Sequence, residues 1–136
     1  MSERVATDEP QAMDIMVRSF VSAAPEDTLG ELAERLAAAD AGSALVVEYG
    51  RLIGIITSRD IVRAVGGRVH PSEARVRHWM TGDPVVARPE LPAVEAARRM
   101  VGGGFHHLPV VVDERPVGVV GLRTVVGLLR QAGLGW

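Results

Sequence analysis

Residues 42–60 read GSALVVEYGRLIGIITSRD, and residues 106–124 read HHLPVVVDERPVGVVGLRT. Each stretch holds two β-branched runs and then turns into a helical pattern. The runs are Ala44 to Val47 and Leu52 to Thr57 in the first, Leu108 to Val112 and Val117 to Leu122 in the second. Tyr49-Gly50 and Asp113-Glu114 fall between the runs, where a hairpin turn belongs. Two strand pairs of the same design, each leading into a helix, predict paired units of mixed α and β structure.

Working outward from these stretches, residues 13–66 align with 77–130 without a gap. Met16 falls on Met80, Pro25-Glu26 on Pro89-Glu90, Val46-Val47 on Val110-Val111, Gly54 on Gly118 and Arg59 on Arg123. Fourteen of the fifty-four aligned positions are identical, so the chain reads as one unit used twice. Phe20 to Ala23 and Pro84 to Ala87 are short extended runs ahead of Pro25 and Pro89. Thr28 and Glu31 then have capping-box spacing, and Leu29, Leu32, Ala33 and Leu36 recur at helical intervals. In the second unit Pro92 stands in a first helical turn, and Ala93, Ala97, Met100 and Val101 make the stripe. Gly102-Gly103-Gly104 follows that helix and reads as its terminator, since a phosphate loop would precede a helix and carry a Lys. Closing helices are expected over Arg59–Val65 and Thr124–Gln131, ended by Gly66 and Gly133. The predicted order is β-α-β-β-α, twice.

The 136 residues are 47% hydrophobic and 24% charged, with a net charge of -2. A domain of this length buries about 70% of its unfolded surface and needs no disulfide staples. None is available, because there is no Cys. All 15 basic residues are Arg, yet 17 carboxylates balance them and the pI is near 6.1, which argues against a nucleic-acid partner. No apolar run reaches the length of a membrane span and the N-terminus MSERVATDEP is too polar for a signal peptide, so a cytoplasmic protein is expected.

The segments AMDIM (12–16), GSALVV (42–47) and GIITSRD (54–60), with RHWMTGDPVVARPE (77–90), HHLPVVVD (106–113) and VGVVGLRT (117–124), resemble the cystathionine-β-synthase (CBS) domain. The resemblance implies a tandem pair, or Bateman module, of fold class α/β (α+β): two β-α-β-β-α repeats packed about a pseudo-two-fold axis through their sheets, leaving two symmetric clefts. It divides the chain into a tail (1–11), a first repeat (12–66), a linker (67–75), a second repeat (76–131) and a tail (132–136). It also implies a regulatory module without catalytic residues, a homodimer, and adenosine-type ligands such as AMP, ADP, ATP or S-adenosylmethionine, with no required cofactor. A protein target of the regulation is a further implied partner. The alternative is a structural or protein-interaction module whose ligand sites are vestigial.

Thr57-Ser58-Arg59-Asp60 sits where a strand gives way to a helix, a place that favours a phosphate. In the family this T-x-x-D pattern reads a ribose phosphate. Helix capping by the same residues is the other reading. The counterpart Gly121-Leu122-Arg123-Thr124 has lost both hydroxyl and carboxylate. By the resemblance, the intact cleft combines Ile55, Thr57, Arg59 and Asp60 with Pro84, Val85, His106, His107 and Pro109. The degenerate one involves Val21, Ser43, Ala44, Arg123 and Thr124. The two histidines could donate to a phosphate, or belong to an ordinary polar loop. Adjacent side chains on extended backbone diverge, so no metal is expected. Arg68, Arg75 and Arg77 read as a solvated face, and Trp79 as packing in a core or dimer interface. The apolar stripes, including Leu29, Leu36, Val62 and Leu129, exceed what two small sheets need, which also points to association.

Overall fold

The computed structural model describes residues 9–131 and 133; most of the two expected tails therefore lies outside the described residues. Helix α1 (Ala12–Ile15) leads into β1 (Val21–Ala23), α2 (Leu29–Ala39), the hairpin β2 (Ser43–Glu48) and β3 (Arg51–Thr57), and α3 (Ser58–Gly66). The second repeat follows with α4 (Val76–Trp79), β4 (Thr81–Gly82), α5 (Ala93–Gly103), the hairpin β5 (His107–Val112) and β6 (Arg115–Gly121), and α6 (Leu122–Gln131). The two-residue loops have positive φ at both central residues, 54° and 78° at Tyr49-Gly50 and 49° and 67° at Asp113-Glu114, as a type I′ hairpin turn demands. Both hairpins carry the same register shift, between Val46 and Val47 and between Val110 and Val111.

β2 shows why these runs are continuously apolar. Ala44 and Val46 face one way, into a core with Leu29, Leu32, Leu36 and Ile56. Leu45 faces the other way and meets Ile55 and Val119 where the two sheets back onto each other. A strand buried on both faces has no polar side to show. Helix α2 is closed by the reciprocal Thr28–Glu31 capping box and left by Asp40 in the left-handed region. Asp27, next to that cap, is partly desolvated, but Ala24 N–H and Arg35 overcome the burial and hold its carboxyl below the ordinary range.

The segment that opens each repeat completes the other repeat. Ala12, Ile15 and Met16 pack into the core built on α5, β5, β6 and α6, while Val76, Trp79 and Met80 pack into the core of the first repeat. The hydrogen bonds match pairwise: Ala12 N–H to Leu91 O (2.8 Å) mirrors Val76 N–H to Asp27 O (2.9 Å), and Met13 N–H to Pro89 O mirrors Arg77 N–H to Pro25 O. β4 adds to β3 as the fourth strand of the first sheet, in the order β1-β2-β3-β4. Val17 bridges Val119 in β6 in the equivalent way. An ideal Cβ on Gly54 would lie 2.6 Å from Met80 Sδ and 2.9 Å from Thr81 O, and on Gly118 it would lie 2.5 Å from Met16 Sδ. The shared glycine of both β-branched runs is thus explained by close approach of the exchanged segment.

Several expectations change. Pro84–Ala87 is not a strand; only Ala87 pairs, with Val110. Its partner strand carries Pro109 at the central position, which has no N–H for a parallel ladder. Leu45, the equivalent in β2, has one, and there β1 forms a full pairing from Val21 to Ala23. Pro92 is the N-cap of α5, Ala96 joins Ala93, Ala97 and Met100 in the core, and Val101 is exposed. Helix α3 continues through Gly66 to a cap at Gly67, and Leu122 begins α6. Gly104, at φ 72°, ends α5. Residues 67–75 are docked: Leu29 N–H bonds Ala74 O and Gly30 N–H bonds Pro71 O. Arg75 donates to Glu26 O and Arg77 pairs with the Glu26 carboxylate. Leu29, Leu36 and Leu129 are buried within the chain, so of that set only Val62 offers exposed apolar surface.

Candidate functional site

Where β3 passes into α3, Thr57 is the N-cap and Asp60 the third residue of the helix. Asp60 is buried, at 6% exposure. Its Oδ2 accepts the Thr57 N–H at 2.8 Å and the Thr57 hydroxyl at 3.2 Å, and its Oδ1 accepts Arg63 Nη2 at 2.7 Å. Capping, the alternative reading of T-x-x-D, is therefore realised in the structure. The next donor is committed too: Ser58 N–H bonds Gly42 O at 3.0 Å, tying the β2 approach to the helix start. With the Thr57 and Ser58 N–H groups engaged, the helix start has fewer backbone donors for an anion, and side chains carry more of the contact.

A cleft of about 570 Å³ opens over this helix start. Its volume is that of a small-molecule site. The first repeat contributes Ile55, Thr57, Arg59 and Asp60, and the second contributes Pro84, Val85, His106 and His107 from across the sheet boundary. Pro109 does not line it; it is buried in β5. The His107 ring lies against Gly42, where a Cβ would meet Cε1 at 3.5 Å. Burial, and secondarily the neighbouring His106, lowers the His107 pKa below its ordinary value, so the ring is neutral at pH 7. His106 is exposed, and its carbonyl accepts the Leu122 N–H.

The expected second site has another character. Ser43 and Ala44 are buried, Val21 is half-buried, and Arg123 and Thr124 are exposed. None of them lines the cleft or the apolar groove between α2 and α3. Among the described residues no group of three or more His, Asp or Glu side chains is placed to hold a metal ion, and no helix is long and apolar enough to cross a membrane.

Sequence reasoning missed Arg63, Thr81, Asp83 and Phe105, which also line the cleft. Arg63 was legible in principle, because a residue three positions after a helical carboxylate shares its face. Thr81 and Asp83 were not, since their place depends on the exchange of β4 onto β3. Phe105 arrives by a local device: its ring covers Gly103 so closely that a Cβ there would overlap Cε1.

The chain belongs to the CBS-domain family, whose pattern it matches over residues 12–67 and 76–131. It is a CBS-domain pair, like the solved structures that share its fold. Among curated proteins it is similar to uncharacterized protein MJ1225 of Methanocaldococcus jannaschii, at 30% identity over 132 residues, which are 96% of this chain and 45% of that protein. The chain thus spans less than half the length of that relative. Among solved structures it is similar to the CBS domain pair of protein MJ0100 in complex with 5'-methylthioadenosine and S-adenosyl-L-methionine, with TM-score 0.83, 25% identity, and coverage of 92% of this chain and 99% of that one. It is similar also to CBS domain protein PAE2072 of Pyrobaculum aerophilum complexed with AMP, with TM-score 0.81, 25% identity, and coverage of 90% and 98%.

Proposed function

We propose that this chain is a regulatory module that binds an adenosine-type nucleotide in the cleft between its repeats, and that it acts by binding and not by catalysis. The observation that carries the reading is one cleft in which the Thr57–Asp60 helix start of the first repeat faces His106 and His107 of the second. A ligand there touches both repeats, and so favours whichever relation of the two suits it; regulation needs that unequal binding of two states. Ile55, Pro84 and Val85 supply an apolar wall for the base, and Asp60 an acceptor for ribose hydroxyls. Arg59 supplies a cationic group for phosphate, and the two histidine rings supply donors. The Arg123–Thr124 side is a degenerate site with one ligand bound per chain as the consequence.

The regulated output is a protein target or the geometry of a homodimer, in the cytoplasm, with neither nucleic acid nor membrane as partner. Support for a dimer comes from the apolar groove between α2 and α3, lined by Ala33, Ala37, Ile61 and Val62 and flanked by exposed Val65. A thermal-shift panel of AMP, ADP, ATP and S-adenosylmethionine tests the function. A ligand at 100 times its dissociation constant adds about 2.7 kcal/mol, a rise of several degrees for a domain this size. No shift with any of the four at millimolar concentration favours the vestigial, protein-interaction reading instead.

A further inference from the structure

The two oxygens of Asp60 are used differently. Oδ2 holds the Thr57 N–H and hydroxyl, the bonds that close the start of α3. Oδ1 accepts Arg63 Nη2 at 2.7 Å. The carboxylate side chain is 9% exposed and that of Arg63 is 65% exposed, and both line the cleft. A ligand hydroxyl approaching at Oδ2 would have to open the helix cap. One approaching at Oδ1 has only to displace a long, solvent-facing side chain from an i,i+3 pair, leaving the cap intact. The guanidinium so released stays on the wall of the same cleft.

We propose that Arg63 is a specificity-determining residue that rests on Asp60 while the cleft is empty and transfers to a ligand phosphate when a ribose hydroxyl takes Oδ1. The cleft thereby prefers a phosphorylated adenosine to the bare nucleoside, because only the phosphate offers the displaced cation a new partner. The inference rests on the adenosine reading above. Arg59 adds to the attraction for an anion, the His106 and His107 rings can donate to it and Asp83 opposes it, but they lack the exchange. Among the charged side chains facing the cleft, Arg63 bonds the diol reader itself, at Asp60 Oδ1.

Calorimetric titration of the full chain with AMP and with adenosine separates the possibilities, using wild type, Arg63→Gln and Arg63→Lys. In Arg63→Gln, AMP should weaken by about tenfold or more, the size expected for loss of a charge-assisted contact, while adenosine binds equally or more tightly because Oδ1 is vacated. Arg63→Lys should recover part of the preference for AMP, as a point charge without the fork. Equal weakening of both ligands would assign Arg63 to support of α3 and overturn the inference, as would an unchanged AMP-to-adenosine ratio. Wild type that binds neither AMP nor adenosine would overturn this inference, while a thermal shift with ADP, ATP or S-adenosylmethionine would leave the adenosine reading standing.

Discussion

Asp60 carries two tasks at once, and its substitutions must be chosen accordingly. Asp60→Ala removes the cap and the ligand acceptor together, whereas Asp60→Asn keeps an oxygen for the Thr57 N–H and loses the charge. Hydrogen bonds to charged groups contribute about 1.5 to 3 kcal/mol, so Asp60→Asn should weaken an adenosine nucleotide by about ten- to a hundredfold. Thr124→Ala, at the equivalent position of the second repeat, should leave affinity unchanged; calorimetry on both variants checks the contrast. His107 gives a second test at this scale. Its pKa is lowered in the folded chain by burial and then by His106, and returns to about 6.5 on unfolding. Below that value the unfolded chain takes up the proton first, so its contribution is intact above about pH 6.5 and stability falls as the pH drops toward the folded pKa. Urea midpoints at pH 7.5 and 5.5 should therefore differ less in His107→Gln than in wild type.

At the scale of elements, the hairpins and α2 were legible because their signals are local. Positive-φ turns, β-branched runs and a capping box each lie within a few residues of what they specify. The extended run Pro84–Ala87 was misread because its fate depends on Pro109, more than twenty residues away, which lacks the N–H its neighbour needs. The short helices α1 and α4 span one turn each, too few residues to show a period. The glycines facing the exchanged segments yield a prediction. Gly54→Ala would press a Cβ on Met80 Sδ and on the Thr81 backbone oxygen, and should cost about 1 to 3 kcal/mol. Gly118→Ala meets side-chain atoms of Met16, the flexible partner, and should cost less. Denaturant melts of the two variants read the difference directly.

The whole molecule is held together by reciprocity: each core contains residues from the start of the other repeat. Deleting residues 1–17 removes Ala12, Ile15 and Met16 from the second core and Val17 from the edge of β6. That deletion should destabilise the chain by at least about 2 to 5 kcal/mol, the cost of emptying one large buried side chain. The damage should appear first in amide protection of β5 and β6 and not in the first repeat, a pattern that hydrogen exchange resolves. Oligomeric state is decided at the same scale. Light scattering should give twice the chain mass of 14.5 kDa, and Val62→Arg, in the groove between α2 and α3, should shift it toward the monomer.

What the sequence by itself determined is the repeat, the two hairpins, the capped α2 and the difference between Thr57–Asp60 and Gly121–Thr124. All of these follow from periodicity, turn chemistry and side-chain inventory, which act over short separations. The tertiary structure decided where residues 12–17 and 76–82 pack, because a four-residue helix has no pattern of its own and takes its place from the apolar surface that covers Ala12 or Val76. It decided the wall of the cleft for the same reason, bringing Thr81 and Asp83 onto β3 and burying Pro109 in β5. It also decided that Asp60 is buried, since the exposure of a carboxylate depends on what packs over it and not on the letters T-x-x-D.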